Sequence, residues 1–234
     1  MVSGMTASIH DGELTRTRLR TPKAAAIAGI VSSILLIATF WLIRTSVPAE
    51  ALPANIWLRD RAKTIVLALN LIPFAGIAFL WFIGVLRDRL GQREDRLFAT
   101  VFFGSGLLFL GMLFSAAAVV AAAILAFADR PNQPIDSDVF TFVRSLAFNL
   151  VNTYAIKMAG VFMISTSTVA LHTEFAPRSI ALLGYLLAVF LLFLGHHFEW
   201  SFFVFPLWVM LLSIHILVDN YRRPSGSGEK QGQN

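Results

Sequence analysis

Lys157 is the residue in this sequence best placed to do chemistry, because it interrupts Phe148 to Leu171, an apolar stretch long enough to cross a bilayer as a helix. An ammonium placed near the middle of a span must become neutral, snorkel to a headgroup, reach water or be paired. At 100° per residue, Asn149, Thr153, Lys157, Gly160 and Ser167 fall within about 80° of one another, with Asn152 on the flank. That spacing predicts one polar face along the helix. With Asn70 and the carbonyl that Pro73 releases on the second span, the face has the groups to line a cavity or pore for an anionic or lone-pair-bearing solute. The alternative is a lysine that satisfies helix carbonyls or binds a lipid phosphate, its face turned to a partner helix or to lipid.

Two further clusters carry ionisable groups. His196, His197 and Glu199 follow the fifth apolar run and have metal-ligand chemistry. Adjacent histidines diverge by about 100° on a helix, so they can share a metal only if the helix has already ended. Interfacial anchoring beside Trp200 explains them without a ligand, and is preferred. His172, Glu174, His215 and Asp219 gather at the other end of the molecule if the fourth and sixth spans are neighbours. A carboxylate beside an imidazole suits a proton relay or a divalent cation, but a water-exposed pair without a task is the preferred reading.

Enzyme templates are missing. There is no GxSxG elbow, HExxH pair or phosphate loop, and Gly104 to Gly106 lie in an apolar run without the lysine and hydroxyl such a loop needs. Ser165 and Ser167 stand at poor spacing from His172 for a nucleophile and its base. A lipid-directed membrane enzyme is therefore the third-ranked reading, with no catalytic residue to name. The chain has no cysteine, which removes disulfides and thiolate metal sites, and no cofactor is expected.

These side chains must be positioned by helices in a membrane. Of 234 residues 56% are hydrophobic and only 14% charged, and the charges are clumped between six apolar runs. The runs are 24–43, 65–86, 98–127, 147–171, 180–198 and 202–218. The expected fold is an all-α bundle of six transmembrane helices. Lys and Arg favour the segments on the side of both termini by roughly two to one, which predicts that both termini are cytoplasmic. The net charge of +5 follows from that topology, and no basic run interleaved with aromatics suggests nucleic acid. The organisation expected is a disordered cytoplasmic tail over 1–22, a membrane domain over 23–220 and a flexible cytoplasmic tail over 221–234.

Smaller signals refine this picture. Ala25, Gly29 and Ser33 recur at helical spacing in the first span, and Gly104, Gly111, Ser115, Ala118 and Ala122 do so in the third. Such small-residue seams let helices approach closely and could also join copies in a homo-oligomer. The second helix is expected to run about 36 residues through Pro73, projecting beyond the bilayer. The short connection HTEFAPR makes the fourth and fifth spans antiparallel neighbours.

The segment PFAGIAFLWFIGVLRDRLG from Pro73 to Gly91, then Glu94 and Asp95, then ATVFFGSGLLFLGMLF from Ala99 to Phe114, resembles a pattern recurring in uncharacterised polytopic membrane proteins of actinobacteria and related bacteria. The resemblance covers the second and third spans. It implies a bacterial inner-membrane location and brings no activity, ligand or catalytic residue. The leading expectation is a small channel or transporter with a polar path along the fourth span; the alternative is a non-catalytic membrane subunit or scaffold whose polar helix face binds a partner helix or lipid. The partners expected are the lipid bilayer, further copies of the chain and a small solute or ion.

Overall fold

The structure is a computed structural model that describes residues 21–47, 54–90, 96–128, 137–173, 176–198 and 200–222. The tails expected over 1–22 and 221–234 lie outside these residues, save for Thr21, Pro22, Tyr221 and Arg222, which are helical. Among the described residues there is no strand. The helices are α1 Thr21–Ser46, α2 Ala54–Leu90, α3 Arg96–Ala128, α4 Ser137–Asn149, α5 Ile156–Thr173, α6 Arg178–Phe193 and α7 Ser201–Arg222. A π-helical segment, Leu150–Ala155, joins α4 to α5 in one rod. Six rods result, as the six apolar runs predict.

Five of the rods are long and apolar enough to cross a membrane, which makes this a multispanning membrane protein. The sixth, α6, has 16 residues, or about 24 Å of helix. It ends earlier than its apolar run because Gly195–His197 form a 3₁₀ turn. α1 and α7 run antiparallel, and so do α5 and α6. Lys23 near the start of α1 sits 4.6 Å from the ring of Tyr221 near the end of α7, while Phe40 meets Phe202 at 5.3 Å at the opposite ends. Thr168 on α5 shares a 2.6 Å hydrogen bond with the hydroxyl of Tyr185 on α6.

The rods do not reach equally far. From the end where α1 begins and α7 stops, the apolar stretches of α1, α6 and α7 run 24, 16 and 21 residues, against 27, 28 and 35 for α2, α3 and the α4–α5 rod. The bundle therefore has a short half and a tall half, with a step between them. One contact fixes the level of that step: a Cβ built on Gly195 in the turn after α6 would lie 3.1 Å from Cγ2 of Ile156.

Small residues let the rods approach, and an aromatic core fills the axis. Ala25, Gly29 and Ser33 are buried, and a Cβ on Gly29 would meet Ser213 of α7 and Phe82 of α2. Ser32 donates to the carbonyl of Ala75 at 3.0 Å, tying α1 to α2 beyond Pro73. The third-span stripe behaves differently: Gly104 and Gly111 have open space where a Cβ would stand, and Ser115, Ala118 and Ala122 are exposed. α3 instead buries Phe102, Phe109, Leu113 and Ala116. Inside, Phe79 lies within 5.3 to 6.1 Å of the rings of Phe82, Phe109, Phe162 and Phe205, and Phe102 stacks on Phe162 at 4.8 Å.

Gly184 is the position where α6 leans on both neighbours. A Cβ there would meet Ser167 Oγ of α5 and lie 2.9 Å from the indole nitrogen of Trp208 on α7. Gly184→Val is expected to cost about 1–3 kcal/mol through overpacking. The check is unfolding in a detergent titration, with Gly104→Val as the control expected to stay close to wild type.

Candidate functional site

At the step between the two halves the helices leave a cavity of about 390 Å³, within the roughly 300–1,000 Å³ usual for small-molecule sites. Its two sides differ in chemistry. One side, from α2 and α3, contributes only aliphatic residues, among them Ile65, Leu69, Ile72, Leu113, Ala117 and Ile124. The other side is built by the last turn of α1, by α4 and the π segment, and by the turn after α6, and it brings Arg44, Arg144, Asn152, His196 and His197. Phe40 and Phe202, packed ring against ring, belong to the lining where it approaches the aromatic core.

Local structure explains why these polar groups meet there. Arg44 lies in the last turn of α1, where a cation is favoured by the helix dipole, and its guanidinium is 5.9 Å from the ring centre of Trp200. Trp200 in turn contacts Trp41 at 6.4 Å and stacks on Phe203 at 5.5 Å, which limits where the arginine can go. Because the helix has stopped at Phe193, the adjacent imidazoles do not diverge: the rings of His196 and His197 lie 3.7 Å apart, centre to centre. This is the condition on which a shared site depended. Glu199, the third member of the expected cluster, lies outside the described residues. Among the described residues no three His, Asp or Glu side chains are grouped to hold a metal ion.

The fourth-span residues are not brought together. Asn149 and Asn152 donate to the carbonyls of Ser145 and Phe148 one turn back, at 3.0 and 3.2 Å, and Thr153 bonds the Asn149 side chain at 3.3 Å. Asn149 and Lys157 are exposed, Asn152 reaches the cavity wall, and Ser167 is fully buried against Gly184. Lys157 and Ser167 both lie on α5, about 80° apart, which already separates an exposed from a buried position; Asn149 is set against them by the π segment. Its bonds close one residue later than α-helical ones, so the faces before and after it are rotated relative to a uniform 100° step. Asn70 points outward from α2, although Leu69 and Ile72 beside it line the cavity.

Lys157 lies two residues from the centre of the 35-residue apolar stretch of the α4–α5 rod. Its neighbour Ile156 is level with the turn after α6, so the lysine stands where the short half ends. An exposed lysine there makes no buried contact that the fold depends on. Lys157→Met is accordingly expected to change stability by no more than about 0.5 kcal/mol, as read from a detergent unfolding midpoint beside wild type.

At the other end of the bundle, His172 is exposed at the close of α5, and His215 and Asp219 are half-buried on α7. Glu174 lies outside the described residues. The cavity itself is the feature that sequence reading missed. Its lining comes from segments far apart in the chain, and only the arginines at the ends of the first and fourth spans could have hinted at it. No protein-family model matches the chain, and no curated protein or solved structure is significantly similar to it.

Proposed function

We propose that this chain is a non-catalytic membrane protein that binds one lipid-like molecule in the cavity at the step of its bundle. The observation that carries this reading is the cavity's construction: a mostly apolar lining, wholly aliphatic along α2 and α3, with its few polar side chains, Arg44, Arg144, Asn152, His196 and His197, set among apolar ones on the opposite side. Sites between helices of a bundle commonly have this form, mostly apolar with a few placed polar groups. A 16-residue α6 ending at the same level brings the headgroups of one leaflet to the cavity, so a ligand can enter from the bilayer. The Lys and Arg distribution supports placing this leaflet on the non-cytoplasmic side of a bacterial inner membrane.

A solute path along the fourth span has less support. Lys157 and Asn70 face outward, and beyond the cavity Phe79, Phe109, Phe162 and Phe205 fill the axis. Native mass spectrometry of the detergent-purified chain tests the binding reading. One amphiphile per chain should survive at activation energies that strip the micelle, and its exchange for an added single-chain amphiphile should saturate at one. Retention of none, or a broad ladder with no preferred stoichiometry, would remove the proposal.

A further inference from the structure

Resting on that binding reading, we infer that the cavity selects an amphiphile with an anionic head, phosphate or carboxylate, held between Arg44 and Arg144 with its hydrocarbon chain along α2 and α3. The charges among the described residues of the wall all have one sign or none. Among the described residues that line it, the ionisable side chains are Arg44, Arg144, His196 and His197, with no carboxylate. The two arginines come from different helices, the last turn of α1 and the middle of α4, so they approach the space from separate elements. Planar guanidinium groups match phosphate and carboxylate geometry through paired N–H donors. Each carries five donors, enough to hold a protein neighbour and a ligand oxygen together.

The surroundings strengthen this choice. Arg44 is steered by the face of Trp200 at 5.9 Å, which restricts its motion before any ligand arrives. The Asn152 amide nitrogen is engaged with the Phe148 carbonyl, and the paired imidazoles of His196 and His197 stand beside the same space. An anion in a site walled by hydrocarbon interacts more strongly with these groups than it would in water. A neutral head of the same size gains none of that attraction. The aliphatic side of α2 and α3 has no donor or acceptor side chain among its lining residues, so it suits a chain and not a second head.

The test compares ligands that share one oleoyl chain: a monoacylglycerol phosphate, oleate and the neutral monoacylglycerol, each titrated against the purified chain in a non-ionic detergent. At low ionic strength either anionic head should bind at least tenfold tighter than the neutral one. The preference should shrink as the Debye length falls from about 30 Å at 0.01 M salt to about 3 Å at 1 M. In Arg44→Gln/Arg144→Gln the preference should drop below threefold. Inorganic phosphate alone should neither bind nor compete at millimolar concentration. Equal affinity of wild type for anionic and neutral ligands, a preference indifferent to salt, or one that survives in the double variant overturns the inference and leaves the binding reading intact. The salt series needs only wild type, so it decides the matter even if the double variant does not fold. If wild type binds none of the three ligands, the binding reading itself falls.

Discussion

Phe79→Ala is expected to destabilise the folded chain by about 3 kcal/mol, the lower end of the range for truncating a buried aromatic. Phe79 is 0% exposed and has four phenylalanine rings around it, from α2, α3, α5 and α7. In a bilayer the transfer part of the loss is small, because lipid tails are as apolar as the side chain. What remains is the cavity and the dispersion contacts that no neighbour can replace. Phe74, on the same helix, is 63% exposed, and Phe74→Ala should shift stability by less than about 0.5 kcal/mol. The comparison is an unfolding titration in mixed micelles. Equal effects at the two positions would mean that the aromatic cluster does not hold the four helices together.

Ala117→Trp has the largest expected effect on binding. Ala117 lies on the aliphatic side of the cavity, and an indole there would occupy space assigned to the ligand chain. Displacing about four methylenes at about 0.8 kcal/mol each forfeits about 3 kcal/mol, measured from monomeric amphiphile in water, or roughly a 100-fold loss of affinity. The folded chain itself should lose nothing and can gain, since filling a void commonly adds about 0.5–2 kcal/mol. Binding and stability therefore move in opposite directions, which separates this outcome from simple misfolding. A variant that folds and binds as wild type does would show that the ligand chain does not lie against α3.

The helices were legible in the sequence because apolar runs of this length report directly on a bilayer-sized element, and the close approach at Ala25, Gly29 and Ser33 follows from the absence of bulk. The same kind of stripe on α3, from Gly104 to Ala122, faces outward. Small residues permit contact without specifying it, and the larger Phe102, Phe109 and Leu113 decide which side of α3 is buried. The stop at Phe193 had a local mark in Gly195, a residue that weakens a helix, before His196 and His197. The π segment had none: LVNTYA contains neither proline nor glycine, and the segment packs against α3. Its shift of register turns Asn149 against the residues of α5, whereas Lys157 and Ser167, both on α5, are divided by the roughly 80° between them. The cavity was beyond reach for a related reason, since it arises where helices of unequal length end, and relative height is set by contacts such as Ile156 with Gly195.

An experimental density map of the chain reconstituted in bacterial lipid examines the binding account at its source. The expected result is a continuous tube of non-protein density along Leu69, Leu113 and Ala117 that broadens between Arg44 and Arg144. A cavity collapsed by its own side chains, or density no more ordered there than around the exposed face of α6, would contradict it.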